Sequence, residues 1–116
     1  MADELLLDVL VRPVGNGVAL ATVGGEIDIA TVSSLRAALS PLVVNPAVRL
    51  LVCDLCTVSF LGCAGVSLLL EMRAALAARG ARLRVVANGN IVLRPLTVLG
   101  LLETLQVRPD LWSAMD

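Results

Sequence analysis

The sequence predicts an α/β fold in a single domain over residues 1–116, with a mixed, mainly parallel β-sheet and helices packed on it. Three observations support this prediction. Apolar residues make up 58% of the chain, more than the roughly 45–50% of an average soluble domain, which suits strands covered on both faces. Strand-like and helix-like segments alternate in the order β-β-α-β-α-β-α-β-α. Aromatic residues make up only 2%, so the core must be built from Leu, Val, Ile and Ala.

The chain opens with a predicted β-hairpin. Apolar residues at every second position place one set of side chains on a single face of the first strand: Leu5, Leu7, Val9 and Val11. The turn-forming residues 13–17 separate this strand from a second one over residues 18–23. Residues 24–28, which begin with Gly24 and Gly25, are expected to end the second strand.

A helix is predicted next, with Thr31 as its N-cap. Its apolar residues recur at spacings of three and four, the pattern of a helix that buries one face: Val32, Leu35, Leu39, Leu42 and Val43. Pro41 lies inside this pattern and is expected to kink or shorten the helix. Asn45 and Pro46 mark its end.

The middle of the chain predicts a buried strand followed by an apolar helix. Residues 49–55 are apolar on both faces until Asp54, as in a central strand. A turn of small residues leads into a helix expected over residues 64–79, and Gly80 fits the position just after its C-terminus. Residues 49–70 have the length of a membrane-spanning helix, but two short buried elements account better for the sequence.

The C-terminal third predicts shorter elements. Residues 83–86 predict a strand, and Arg82 and Arg84, which alternate along it, are expected at a solvated edge or end of the sheet. Residues 91–99 predict a helix that is interrupted near Pro95 and ended by Gly100. Residues 105–107 predict a last strand, and residues 109–115 a helical turn or two.

Composition excludes several classes of function. The chain has no histidine, so catalytic triads and Cys-His pairs cannot form, and it contains no phosphate-binding or dinucleotide-binding glycine motif. We therefore predict that it is not an enzyme and binds no cofactor. The net charge of −1 does not indicate the basic surface that a nucleic-acid-binding protein needs. Three cysteines without histidine leave a four-ligand zinc site incomplete.

The same features predict a cytoplasmic protein. The first ten residues carry three acids and no basic residue, so they do not form a signal peptide, and the three cysteines are expected to stay reduced. We expect no direct insertion into a membrane. The apolar excess is compatible with a monomer or a weak homodimer.

The cysteines fall into two groups. Cys53 and Cys56 match C-x-x-C but lie in or at the end of a strand, where about 10 Å separates their Cα atoms, too far for a disulfide. They are expected to be buried, inert thiols. Cys63 lies at the first turn of a helix, where the helix dipole favours a thiolate. Its interpretation stays open between a small space-filling residue, a redox-sensitive thiol at an interface and a catalytic nucleophile.

Two motifs resemble those of STAS domains, the family of sulphate transporters and anti-sigma factor antagonists. Residues 60–65, Phe-Leu-Gly-Cys-Ala-Gly, are similar to the family segment Phe-hydrophobe-Asp-Ser-Ser-Gly, whose first Ser is phosphorylated by a partner kinase. Here Gly62 replaces the Asp and Cys63 replaces the acceptor Ser. Residues 25–28, Gly-Glu-Ile-Asp, resemble the Gly-Glu-hydrophobe-Asp segment that follows the second strand of the family.

The resemblance implies a bacterial anti-anti-sigma factor that binds an anti-sigma factor, usually a histidine-kinase-like ATPase, and so frees a sigma factor for transcription. It implies that the partner contacts the two motifs and the helix start: Gly25, Glu26, Asp28, Phe60, Gly62, Cys63, Ala64, Gly65 and Ser67. Because Cys63 is not a substrate for a Ser/Thr kinase, the protein is expected to be permanently binding-competent or controlled by oxidation of Cys63.

Two other functions remain open at this point. The STAS fold also occurs in accessory subunits of membrane transport complexes, and the sequence does not separate this function cleanly from that of an anti-sigma factor antagonist. A thiol-disulfide enzyme that uses Cys63, or Cys53 and Cys56, would instead require a reactive thiol of lowered pKa. The neighbouring hydroxyl groups of Thr57, Ser59 and Ser67 do not occupy the acceptor position.

Overall fold

The computed structural model of the chain describes residues 6–115, so the predicted first-strand residue Leu5 lies outside the described residues. The helices and strands follow one another in this order: β1 (Leu7–Gly15), β2 (Val18–Ile27), α1 (Val32–Val44), β3 (Leu50–Leu61), α2 (Cys63–Ala77), β4 (Arg82–Val86), α3 (Asn90–Val98) and α4 (Leu111–Ala114).

The four strands form one mixed sheet in the order β1-β2-β3-β4. β1 pairs with β2 antiparallel, whereas β2 with β3 and β3 with β4 pair parallel. The α/β class and the mainly parallel sheet are therefore confirmed. The hairpin turn is tight because Asn16 (φ 56°) and Gly17 (φ 79°) are both in the left-handed region, as in type I′ two-residue hairpin turns.

The two faces of the sheet are covered unequally. One face packs against α1, α2 and α3 and holds the main core, in which Leu39, Leu51 and Leu69 are fully buried. The other face carries a small second core, where the sheet packs against Ala114 and Leu111 of the short helix α4. Covering of both faces was predicted, but most of the apolar area is buried on the side of the three longer helices.

Strands β2 and β3 are both longer than predicted. Residues 24–27 do not end β2, because they continue to pair with β3: Gly24 with Thr57, and Ile27 with Leu61. The register shifts between Thr22 and Gly24 and again after Gly25. Each shift is a bulge with its extra residue in β3, and the pairing continues beyond it. The extra length of β3 brings it up to Gly62, one residue before α2 begins.

Helix α1 runs from the predicted N-cap Thr31 through Pro41 to Val44, so the proline does not shorten it. Leu35, Leu39 and Val43 are its buried residues, as the spacing predicted. α3 is likewise continuous through Pro95, which corrects the predicted interruption. In each helix the proline removes one backbone donor, and the buried apolar face keeps the next turn in place.

The predicted strand over residues 105–107 is wrong. Gln106 has a φ of 48°, a left-handed conformation that a strand does not accept. This segment still lies beside β4, where Arg108 N donates to Val85 O at 2.8 Å and Ala87 N donates to Arg108 O at 3.0 Å. Only an isolated bridge between Val86 and Arg108 results.

Arg84 is not at a solvated edge, as predicted, but buried with 6% of its surface exposed. Its Nε donates to Gln106 Oε1 at 2.9 Å, and its Nη1 donates to Ala114 O at 3.0 Å. A buried charge must be paired or hydrogen-bonded, and here it joins β4 to the segment before α4 and to the last residue of α4. Arg82 is exposed, as predicted.

Candidate functional site

The two predicted motifs meet at the edge of the sheet where β2 and β3 end. Glu26 pairs with Phe60 and Ile27 with Leu61. Gly62 N then donates a hydrogen bond to Ile27 O at 2.9 Å. Parallel strands bring their carboxyl ends to one edge, so residues 25–28 and 60–65 form one continuous surface, which we call the switch edge.

Gly25 shapes this edge through its backbone. Its φ is 93°, and a Cβ at this position would lie 2.1 Å from Leu6 O. The same carbonyl accepts a hydrogen bond of 2.6 Å from Glu26 N. Only glycine permits this close approach, so Gly25 fixes the position of Glu26 without presenting a side chain of its own.

Asp28 organises the loop between β2 and α1. Its Oδ1 accepts hydrogen bonds from Ala30 N at 2.9 Å and from Thr31 N at 3.1 Å. Thr31 Oγ1 donates to Glu26 O at 2.7 Å. Asp28 therefore holds the turn together, and it leaves the intervening side chain of Ile29 87% exposed.

Helix α2 begins at Cys63, directly after the N-cap Gly62. Gly62 has no side chain with which to cap the helix, and the first turn contains no acidic residue. The first backbone N–H groups of a helix lack intrahelical partners and carry partial positive charge. Cys63 is exposed at this position, as a side chain that meets a partner must be.

The small residues after Cys63 let the helix approach the sheet. A Cβ on Gly65 would lie 2.5 Å from Ile27 Cγ2 and 2.8 Å from Leu61 Cδ1. Gly65 is accordingly buried, whereas Ser67, one turn after Cys63 on the same helix face, is exposed. Of the predicted contact residues, Gly65 therefore serves the packing, and Cys63 and Ser67 face outward.

Phe60 lies over Gly62. Half of its surface is exposed, and a Cβ on Gly62 would come within 3.0 Å of its Cε2 atom. The ring therefore occupies space that a larger residue at position 62 would need. The Asp that the STAS resemblance places there would require the ring to shift, so the glycine at 62 and this ring position fit each other.

A shallow apolar groove of about 370 Å³ lies beside Cys63. It is lined by residues of α2 and of the segment that follows α3: Cys63, Val66, Ser67, Leu70, Leu99 and Leu101. Leu99, Leu101 and the exposed Ile29 were not among the predicted contact residues. The sequence did contain a signal for Ile29, because it is a large apolar residue in the loop between Asp28 and Thr31.

The other two thiols lie in β3, away from the helix start. Cys53 is buried, and burial raises the pKa of its thiol to about 12. Cys56 is exposed, which corrects the predicted burial. Loss of hydration and then the neighbouring Asp54 raise the pKa of the Cys56 thiol to about 11. Both thiols are therefore protonated at neutral pH, and neither is activated for exchange.

Two further findings apply to residues 6–115. No group of three or more Cys, Asp or Glu side chains is placed to hold a metal ion. None of the helices in this part of the chain has the length and apolar character to cross a membrane.

Comparisons with known proteins add to this geometry. A family model described as "STAS domain" matches residues 11–114. The anti-sigma-F factor antagonist RsfB of Mycobacterium tuberculosis is 36% identical over 101 residues, which cover 86% of this chain and 80% of that protein. An anti-sigma factor antagonist from Mycobacterium paratuberculosis has a crystal structure that matches with a TM-score of 0.80 at 32% identity, over 94% of this chain and 91% of that one.

A more distant match shows the same fold. The phosphorylated form of SpoIIAA, a cell fate determinant of Bacillus, matches with a TM-score of 0.74 at 22% identity. The match covers 94% of this chain and 97% of that one.

Proposed function

Because this chain belongs to the STAS domain family, as its residues predicted, we propose that it is an anti-sigma factor antagonist. It binds an anti-sigma factor in the cytoplasm through the switch edge and thereby leaves a sigma factor free for transcription. This is a binding role and not an enzymatic one. The relatives named as anti-sigma factor antagonists in two mycobacterial species support the assignment.

The observation that carries the proposal is the continuity of the switch edge. The backbone hydrogen bond from Gly62 N to Ile27 O joins the two motifs, so Glu26, Phe60 and Cys63 present one surface. Exposed apolar side chains are expected at protein–protein contacts, and Ile29 and Phe60 supply them here. The partner is an anti-sigma factor of the histidine-kinase-like ATPase type, as the family resemblance implies.

The switch edge of this chain is not turned off by phosphorylation at the usual position. Cys63 offers no hydroxyl group, and Gly62 no carboxylate beside it. Thr57 Oγ1 donates to Val23 O at 3.1 Å, and this bond ties it to the neighbouring strand. Ser59 and Ser67 are exposed but lie four residues from Cys63 on either side. The protein is therefore binding-competent by default.

A charge placed at Cys63 tests the location of the interface. Cys63→Glu should weaken binding to the purified anti-sigma factor by roughly 100-fold, because a carboxylate beside Glu26 must lose its water in the complex. Isothermal titration calorimetry measures the affinity. The helix N-terminus tolerates an acidic residue, so the variant should fold.

The matched control adds the same charge elsewhere on the same helix. Ala75 is exposed on α2, three turns beyond Cys63, and Ala75→Glu should bind like the wild type. If both variants weakened binding equally, or if neither weakened it, the anti-sigma factor would have to bind another surface.

Restoring the family residues tests the account of the switch. The double variant Gly62→Asp, Cys63→Ser should accept phosphate when incubated with the cognate kinase and ATP, whereas the wild type should not. A phosphate-sensitive gel detects the shift, with Cys63→Ala as the unreactive control. Phosphate incorporation into the wild type that one Ser or Thr substitution removes would show a different acceptor.

Oxidation of Cys63 stays a prediction, supported by its exposure at the helix start. Affinity capture from the source cells, with and without a mild oxidant, tests it together with the identity of the partner. Recovery of an ATPase-type anti-sigma factor that is lost on oxidation, but kept in Cys63→Ser, would show redox control. Recovery of a membrane transport complex instead would contradict the proposed function.

A further inference from the structure

A pocket of about 430 Å³ lies at the opposite edge of the sheet, where the parallel strands begin. This volume falls within the roughly 300–1,000 Å³ that is usual for small-molecule sites. One wall comes from the β1–β2 turn, and another from the residues at the starts of β3 and β4. None of the switch-edge residues lines it.

Two arginines border this pocket: Arg49, which precedes β3, and Arg82, the first residue of β4. Their backbones are neighbours, since Arg82 N donates to Arg49 O at 3.0 Å. The register pairs Arg82 with Leu50, the residue that follows Arg49. No acidic residue lines the pocket, and within residues 6–115 neither guanidinium has an ion pair with a carboxylate. Their positive charge is therefore uncompensated there.

The backbone around the two arginines is fixed. Arg49 N and Leu50 N both donate to Gly17 O, at 2.7 and 3.1 Å. The stem of Arg49 passes over Gly17, where a Cβ would lie 3.0 Å from Arg49 Cγ. The tight turn at Asn16 and Gly17 therefore lies directly beside the arginine stem.

The remaining lining is mostly apolar. Val14, Val18, Leu50 and Met115 face the pocket beside the arginines. Guanidinium groups bind carboxylate and phosphate oxygens through paired hydrogen bonds, and apolar walls bind an uncharged body. We propose that this pocket binds a small organic anion, a phosphate or carboxylate joined to a compact apolar body, with the anionic group between Arg49 and Arg82.

A titration followed by two-dimensional NMR of the ¹⁵N-labelled chain tests this proposal with four probes. Phenyl phosphate and benzoate carry both parts of the ligand, inorganic phosphate carries only the anion, and benzyl alcohol only the body. Phenyl phosphate, benzoate or both should give saturable shifts at the amides of residues 15–18, Leu50 and Arg82. Inorganic phosphate should bind more weakly at the same amides, and benzyl alcohol more weakly still.

Substitutions locate the charge that is responsible. Arg49→Gln and Arg82→Gln should each lower the affinity for the better-binding anion roughly tenfold, because each removes a charge-assisted hydrogen bond. Both side chains are exposed, so both variants should keep the wild-type melting temperature. Arg73→Gln, which removes an exposed arginine of α2, is the matched control and should change nothing.

Three results would overturn the proposal: no saturable shift with any probe, shifts confined to other residues, or equal weakening by Arg73→Gln. Binding of benzoate alone or of phenyl phosphate alone would support the site and assign its anion class. Binding to the anti-sigma factor is measured separately with Cys63→Glu, so failure of one assignment does not decide the other.

Discussion

The two ends of the parallel strands carry different chemistry on one scaffold. At the carboxyl ends, bulges in β3 and a single linking glycine bring Glu26, Phe60 and Cys63 together. At the amino ends, a tight hairpin turn places Arg49 and Arg82 around a pocket. The first is an open surface with exposed apolar groups, which suits a protein partner. The second is concave and cationic, which suits a small anion.

The difference also appears in the glycines. Gly25 at the switch edge and Gly15 near the pocket both have positive φ, 93° and 112°. Only at Gly25 would a Cβ meet the backbone, 2.1 Å from Leu6 O, whereas at Gly15 nothing lies within 4 Å. Close backbone packing therefore requires glycine at position 25, whereas at position 15 only the backbone conformation of the turn favours it.

The largest expected effect is on stability. Gly25→Ala should lower the free energy of unfolding by about 3 kcal/mol, since it adds a backbone clash to an unfavourable φ. Gly15→Ala should cost about 1 kcal/mol, because only its φ is unfavourable. Urea unfolding followed by circular dichroism measures both. Equal losses would mean that the backbone at Leu6 adapts, and that close packing does not hold the switch edge.

The second contrast concerns exposed apolar side chains. Ile29 at the switch edge is 87% exposed, and Val44 at the other end of α1 is 74% exposed. Ile29→Ala should weaken binding to the anti-sigma factor roughly tenfold, by removing apolar area from the interface. Val44→Ala should leave the affinity unchanged. Calorimetry measures both, and a larger effect at Val44 would reverse the assignment of the two ends.

The smallest expected effect concerns Cys53, buried in the core between the two ends. Burial raises the pKa of this thiol from 9.0 to about 12, so its contribution to stability is fully present below pH 9 and is lost between about pH 9 and 12. Between pH 7 and 10 the wild type should lose roughly 1 kcal/mol more unfolding free energy than Cys53→Ala.

Urea unfolding at several pH values checks this loss. Between pH 6 and 8 the wild type and Cys53→Ala should change in parallel, because the thiol stays protonated in both the folded and the unfolded state. Parallel behaviour up to pH 10 as well would mean that Cys53 is hydrated in the native protein.

Periodicity predicted four strands of the sheet and the buried helix faces, and the resemblance to STAS motifs implied that residues 25–28 and 60–65 lie together. The helix spacing of Leu35, Leu39 and Val43 reports burial on one face, and the structure confirms it. Gly62 and Cys63 were recognised because a turn of small residues joins a strand to a helix there and because the segment resembles a STAS motif. These features involve residues that are close together in the sequence, so they can be predicted from the sequence directly.

Features that depend on distant partners could not be predicted. In the sequence, Arg84 resembles a solvent-exposed strand residue. Its acceptors, Gln106 Oε1 and Ala114 O, come from residues more than 20 positions further along the chain. Residues 105–107 resemble a strand in the sequence. In the structure they belong to a turn, in which Gln106 is in the left-handed region. The pocket between Arg49 and Arg82 depends on strand register, which the sequence does not display.

Hydrogen–deuterium exchange of the chain, alone and bound to its anti-sigma factor, tests most directly that the switch edge is the binding surface. Our account predicts slower amide exchange on binding in residues 25–30 and 60–67, with no change in residues 14–18 or at Leu50 and Arg82. Protection confined to the hairpin turn and the starts of β3 and β4, with unchanged exchange at the switch edge, would contradict it.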